Sequence, residues 1–451
     1  MKRTKRLIAT LLILVLCILT LPVTALCVPA MNVEAEAALL ADYDNNEILY
    51  EKNAYEKMYP ASTTKIMTAL LTLEAVDSGK LKLDQVVSGS SNIISDLRDD
   101  GSTQNIKLGE QMTVENLLYC ALLASANEAC NILAEAVSGS LDGFHALMNQ
   151  RARQLGCTGT HFANAHGLPN DAHYTTAHDL YLIARAAMGH AEFVKICDTA
   201  EYTVPATNLS PARRLYTTNY LLSSQIIPGY TYKYATGIKT GSTDEAGHCL
   251  VASAVKNGRT LVSVVMGAEN VQKNGKLERK SFSESQRLLE WGFNNFTRCV
   301  VLDANSPACE MPVTLSREAD YVVLHPEGEL KATLPYDLDT SKFEKKITLN
   351  AKSVEAPVKK GQVLGYVAVT CEGKEYGRMN LVALSDVSRS NIMYSLDRLS
   401  KFFKSPITKL ALLVLVIFIL FLIARRVFGF GPRRQNKSHW KHKAYRGRKR
   451  R

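Results

Sequence analysis

A chain of 451 residues is too long for one ordinary domain and long enough for two or three. Hydrophobic content of 46% with 22% charged residues excludes a disordered or low-complexity protein and predicts packed cores. The net charge of +11 is not spread evenly: residues 425–451 hold 12 Lys/Arg and no acid, the first six residues hold four more, and the rest carries 38 basic against 43 acidic residues, which excludes a nucleic-acid footprint on the body.

The first element is "MKRTKR" followed by the apolar run "LIATLLILVLCILTLPVTAL" and small residues around positions 35–37. This pattern predicts a secretory signal peptide over residues 1–37. Lipid attachment at Cys27 is the alternative, disfavoured because Leu26 before it is larger than the usual small residue. "ALLADYDNNEILYEKN" alternates apolar and polar residues around a turn and predicts two short strands. A helix begins near Ser62, with Ile66, Met67, Ala69, Leu70 and Leu73 at helical spacing. Two more helices follow in "GEQMTVENLLYCALLASANEACNILAEAVSG", with "SAN" at their junction. "SLDGFHALMNQRARQLG" is a further helix, and "TTAHDLYLIARAAMG" another, capped by Thr175 or Thr176.

Strands then return. "YATGIKTGSTDEAGHCLVASAVKNGRTLVSVVMGA" predicts three of them, the last two joined by a hairpin at Asn257-Gly258. "SESQRLLEWGFNNF" closes the segment as a helix, in whose core Trp291 is expected to pack. Strands, helices, then strands and a helix describe an α+β domain over residues 38–296, with a helical lobe inserted into an antiparallel sheet. Residues 297–390 change to short alternating runs and predict a small all-β domain, which shows no catalytic constellation and reads as a spacer. Residues 391–405 read as a linker or short helix. Residues 406–424 are long enough for a transmembrane helix, at about 1.5 Å per residue against a hydrocarbon layer of about 30 Å. The basic tail, residues 425–451, is then cytoplasmic, the folded body lies outside the cell, and membrane lipid is a partner.

Of ten cysteines, Cys17 and Cys27 fall in the signal region; the other eight form no CxxC pair and predict buried thiols rather than a disulfide framework. His166, His173 and His178 are spaced by seven and five, which fits no common ligand motif, so no metal is expected. His248, beside the K-T-G strand, reads as a structural histidine with a cleft residue as the alternative, and Asp244 and Glu245 read as turn residues.

Three short patterns carry chemistry. In "YPASTTKIMTALLTLE", Ser62 and Lys65 lie three apart and share a helix face. A neutral Lys65 amine can take the Ser62 proton if burial or a neighbouring cation lowers its pKa. "SAN" supplies Ser125 as a proton shuttle and Asn127 as a holder of a substrate amide. "KTGST" places Lys239, Thr240, Gly241, Ser242 and Thr243 on a strand. There Lys239 can hold a carboxylate and depress Lys65, and Gly241 admits a substrate backbone.

S-x-x-K, S-x-N and K-T-G in that order, about 60 and then 110 residues apart, resemble the serine acyl-transferase signature of penicillin-binding proteins and class A β-lactamases. "LLASANEAC", "FANAHGLPN" and "GIKTGSTDEAGHCLVASA" bring the resemblance closer to one branch, the low-molecular-mass penicillin-binding proteins that are D-alanyl-D-alanine carboxypeptidases (peptidase family S11). The resemblance implies a penicillin-binding-protein/β-lactamase-like transpeptidase domain that uses no cofactor. It implies substrates that are peptidoglycan stem peptides ending in D-Ala-D-Ala, with β-lactam antibiotics as covalent inhibitors. Ser62 is then the nucleophile and Lys65 the base. The backbone N–H groups of Ser62 and Ser242 form the oxyanion hole, Ser125 relays a proton to the leaving D-alanine, and Lys239, Thr240 and Thr243 meet the terminal carboxylate. A basic residue before the closing helix is expected to assist, and Lys276, Arg279 and Lys280 all remain open. The middle residue of S-x-N is Ala126, a variable position. The alternatives are a β-lactamase, disfavoured because "FANAHGLPN" holds no deacylating Glu, and a non-catalytic wall-binding protein, disfavoured because all three motifs are intact.

Overall fold

A computed structural model describes residues 28–98, 101–273, 275–371 and 373–427. Residues 1–27 of the segment expected to be a signal peptide (1–37), including Cys27, and the tail beyond residue 427 lie outside the described residues. The chain divides into two compact units, residues 28–301 with 331–343, and residues 302–330 with 344–427.

In the first unit, β1 (Ala37–Asp42) and β2 (Glu47–Lys52) form the expected hairpin. A 3₁₀ turn, Ala61–Thr64, leads into α1 (Lys65–Asp77). Ser62 therefore sits one turn ahead of the α-helix rather than on it. Most residues of α1 are buried, so it runs through the interior instead of lying on the surface. The helical lobe continues with α2 (Val114–Leu122), α3 (Asn127–Ser138), α4 (Leu141–Gln154), α5 (Ala177–Ala187) and α6 (Ala191–Cys197). Thr176, one of the two expected caps, accepts from the Asp179 amide and starts α5.

The chain then returns to the sheet as β3 (Ala235–Thr243), β4 (Gly247–Lys256) and β5 (Arg259–Ala268), and closes with α7 (Lys280–Asn295). The sheet is antiparallel in the order β2-β1-β5-β4-β3, so the first hairpin completes a sheet whose other strands lie some 200 residues downstream. Strand alternation sends side chains to two cores. Leu39, Ala41, Val251 and Val264 pack with the helical lobe. Ala38, Leu40, Leu250 and Val265 pack with Leu288, Leu289 and Phe293 of α7. Full burial of each of those two leucines contributes about 1.5–3 kcal/mol. Trp291 does not sit in this core. It is half-buried at the rim, edge-on to Phe296, and donates through Nε1 to the Pro29 carbonyl at 2.8 Å.

The second unit holds β6 (Cys309–Thr314), β7 (Tyr321–Pro326), β8 (Glu344–Leu349), β9 (Val354–Glu355), β10 (Val363–Cys371) and β11 (Lys374–Ala383) in one sheet, order β8-β10-β11-β7-β6-β9. The stretch read as a linker is α8 (Asn391–Lys404), an amphipathic helix with no buried residue. It is followed by α9 (Pro406–Val427), whose 22 residues are long and apolar enough to cross a membrane. All eight described cysteines are free thiols, six of them buried.

Candidate active site

The site is assembled where the 3₁₀ turn, the α2–α3 junction and β3 converge. A 3₁₀ turn eclipses residues i and i+3. Lys65 Nζ accordingly lies 2.8 Å from Ser62 Oγ. The same nitrogen lies 2.8 Å from Asn127 Oδ1 and 2.8 Å from the His166 carbonyl. An ammonium donates all three bonds; a neutral amine donates two and keeps its lone pair for the Ser62 hydroxyl. Lys65 is fully buried, and burial lowers its pKa from 10.5 to about 8. Lys239 is also buried; burial and then the Lys65 charge lower it to about 7. Lys239 Nζ donates to the Thr240 carbonyl at 3.0 Å.

Two glycines permit the convergence. Gly167, with φ +97°, brings its Cα so close to the turn that a Cβ would meet the Ala61 carbonyl oxygen at 1.9 Å. That approach lets the residue 162–170 loop offer its carbonyl to Lys65, and Thr68 Oγ1 pins the loop by donating to the Ala165 carbonyl. A Cβ at Gly241 would lie 3.0 Å from both the Pro60 oxygen and the Ser62 nitrogen, so β3 runs directly against the turn. Ser62 and Ser242 thereby come to line one cleft.

A cavity of about 260 Å³ opens beside Ser62; Ser125, Thr240, Gly241, Ser242, Arg279 and Thr218 are in its wall. Thr218 and Thr240 share a hydrogen bond of 2.6 Å between their hydroxyls. Ser125 is held at φ +62°, an uncommon conformation for a residue with a Cβ. A second cavity of about 240 Å³ also touches Ser62 and is lined by Asn127, Ser242, Thr243 and Glu245.

Residues 24–270 match the profile of the D-alanyl-D-alanine carboxypeptidase family, peptidase S11, and residues 314–389 match the penicillin-binding protein 5 C-terminal domain. The chain belongs to the D-alanyl-D-alanine carboxypeptidase family. It is 30% identical to D-alanyl-D-alanine carboxypeptidase DacF of Bacillus subtilis, over 81% of this chain and 89% of that one. It is 32% identical to DacC of Escherichia coli, over 80% of this chain and 86% of that one. Penicillin binding protein 5 from Haemophilus influenzae superposes with a TM-score of 0.66 at 30% identity, covering 80% of this chain and all of that structure.

Of the three basic residues left open, Arg279 lines the cavity. Lys280 is taken by Glu34 at 2.7 Å and Glu278 at 3.2 Å, and Lys276 is exposed on the hairpin strand Lys276–Arg279. Thr243 lines the second cavity, but its hydroxyl already accepts the Ala246 amide at 3.1 Å. Asp244 and Glu245 lie in the turn between β3 and β4, and Glu245 also lies 3.6 Å from Arg98, both residues lining that cavity. His248 belongs to the cleft wall rather than to structure alone. The other histidines are engaged separately, His166 with Asp96 at 3.1 Å, His173 with Thr64 at 2.8 Å, and His178 stacked on Tyr55. Sequence reasoning missed Thr218, Tyr220, Ser102 and Asn270, which stand in no motif, and the His166 carbonyl, which has no side-chain signature.

Proposed function

We propose that this chain is a membrane-anchored serine-type D-alanyl-D-alanine carboxypeptidase that removes the terminal D-alanine from peptidoglycan stem peptides and is acylated by β-lactams. The observation that carries the reading is the 2.8 Å contact between a buried lysine amine and the hydroxyl of Ser62, a residue that lines the cleft. Neutral Lys65 takes the Ser62 proton as Oγ attacks the carbonyl between the last two D-alanines. The oxyanion is held by the N–H groups of Ser62 and Ser242; one such donor contributes roughly 3–4 kcal/mol. Collapse of the intermediate breaks the peptide bond, and Ser125 passes a proton to the departing amine. Water then hydrolyses the acyl-enzyme at Ser62. Asn127 holds the substrate amide, while Lys239, Thr240, Thr243 and Arg279 meet the terminal carboxylate. The 162–170 loop offers Lys65 a backbone carbonyl rather than a carboxylate, which argues against rapid β-lactam turnover. On this reading α9 anchors the chain in the lipid bilayer, with the catalytic unit outside the cell and the basic tail within.

The test is D-alanine release from a stem pentapeptide, combined with mass mapping of the penicillin-modified peptide. Release, with the label on Ser62 and lost in Ser62→Ala, is the expected result. Labelling that persists on another serine, or penicillin hydrolysis with D-Ala-D-Ala peptides left intact, overturns it.

A further inference from the structure

The cleft wall carries a second hydrogen-bonded chain that the reaction above does not use. Ser242 and His248 face each other across the β3–β4 ladder. Ser242 Oγ lies 2.9 Å from His248 Nδ1, and His248 Nε2 lies 2.7 Å from Asn270 Nδ2. All three residues line the cavity that holds Ser62 and Arg279.

The directions follow from Asn270. An amide nitrogen only donates, so His248 Nε2 is the acceptor and the ring proton sits on Nδ1. Nδ1–H therefore donates to Ser242 Oγ. Asn270 Oδ1 is buried with no partner among the described residues. Turning that amide over would bury its NH₂ without an acceptor, and an orphaned donor is the rarer fault. Burial, then the nearby Arg279 charge, lowers the His248 pKa and keeps the ring neutral, as this pattern requires. A hydroxyl that accepts a hydrogen bond keeps its own proton to donate. Ser242 is exposed and borders both cavities, so that proton is available to a group bound in the cleft.

We propose that His248, held by Asn270, is a positioning residue that turns the Ser242 hydroxyl into a donor for the terminal carboxylate of the substrate, beside Arg279. Ser242 then meets the substrate twice, through its N–H at the reacting carbonyl and through its hydroxyl at the carboxylate. The proposal rests on the carboxypeptidase reading, because only a substrate with a free terminal carboxylate uses this donor.

The test compares two substrates with the purified full-length protein in detergent. One is an N-acyl-D-Ala-D-Ala peptide; the other is an N-acyl-D-alanyl ester whose leaving group has no carboxylate. His248→Ala is expected to lower kcat/KM on the peptide by about tenfold, chiefly through KM, the loss of one charge-assisted hydrogen bond. Its loss on the ester is much smaller. His248→Asn, whose side-chain amide can replace Nδ1–H, recovers most of the peptide activity. In a Ser242→Ala background, His248→Ala has no further effect on the peptide. Should His248→Ala fail to fold, His248→Asn and Ser242→Ala carry the same two-substrate comparison. Equal losses on both substrates, no recovery with Asn, or additive losses in the double variant overturn the inference while wild-type activity leaves the carboxypeptidase reading standing. A wild-type protein that releases no D-alanine overturns both.

Discussion

Asn127→Asp tests how the general base is set. The substitution is nearly isosteric and puts a carboxylate where Asn127 Oδ1 now lies, 2.8 Å from the Lys65 nitrogen. With a pKa of about 8, about one Lys65 in ten is neutral at pH 7; at the ordinary value of 10.5 the fraction would be roughly one in three thousand. Burial thus costs the ammonium about 3 kcal/mol and supplies the neutral amine that the reaction needs. An anion in direct contact raises an amine pKa by about 1 to 3, which would cut the neutral fraction at pH 7 by about ten- to thousandfold. The assay is the second-order rate of labelling by a fluorescent penicillin, followed from about pH 6 to about pH 10. A base acts unprotonated, so the wild-type rate rises with pH through about 8 and then levels. In Asn127→Asp the rising limb moves to higher pH. Loss of the Asn127 contact with substrate lowers the rate equally at every pH, so the position of the limb isolates the charge. A limb that stays near pH 8 in the variant, or a wild-type rate that does not rise there, refutes the reasoning.

Gly241→Ala forces β3 away from the Ser62 turn by a few tenths of an ångström, since its Cβ would sit 3.0 Å from the Ser62 nitrogen. Labelling should slow by about tenfold with the melting temperature little changed, and unaltered labelling would contradict the close approach. Glu110→Ala strips Arg213 of a partner at 2.6 Å, along with bonds from Thr207 and Lys107. The unpaired arginine, mostly buried, should cost about 3 kcal/mol, read as a lower melting temperature of the full chain. Truncation after Lys404 removes α9 and should move the protein from the membrane to the soluble fraction; retention on the membrane would place the anchor elsewhere.

What was legible in the sequence was mostly local. The Thr176 cap, the Asn257-Gly258 hairpin and the Ser62–Lys65 face are decided within a few residues. The order of the three motifs then carried information about tertiary assembly that no single motif holds. The misses have a common cause. The three basic residues before the closing helix could not be told apart because what distinguishes Lys280 is an ion pair with Glu34, far away in the chain. His248 read as structural because its partner Asn270 stands just past the last sheet strand and belongs to no pattern. Residues 391–405 read as a linker or short helix, a choice left open because an amphipathic helix that buries nothing offers no core to assign it to.

The sequence leaves open whether burial or a neighbouring cation keeps Lys65 neutral. Burial is the principal cause, and the cation–cation effect is felt at Lys239. Coulomb repulsion is nonetheless reciprocal, so the two buried amines titrate as a pair and resist carrying two ammonium charges at once. A substrate carboxylate seated against Lys239 stabilises the ammonium there. The proton that remains easy to lose is then the one on Lys65, beside the nucleophile. On this account carboxylate recognition at β3 and base activation at α1 act through a single electrostatic couple. That gives a physical reason for the two buried lysines to lie within electrostatic reach of each other, although about 170 residues separate them in the chain.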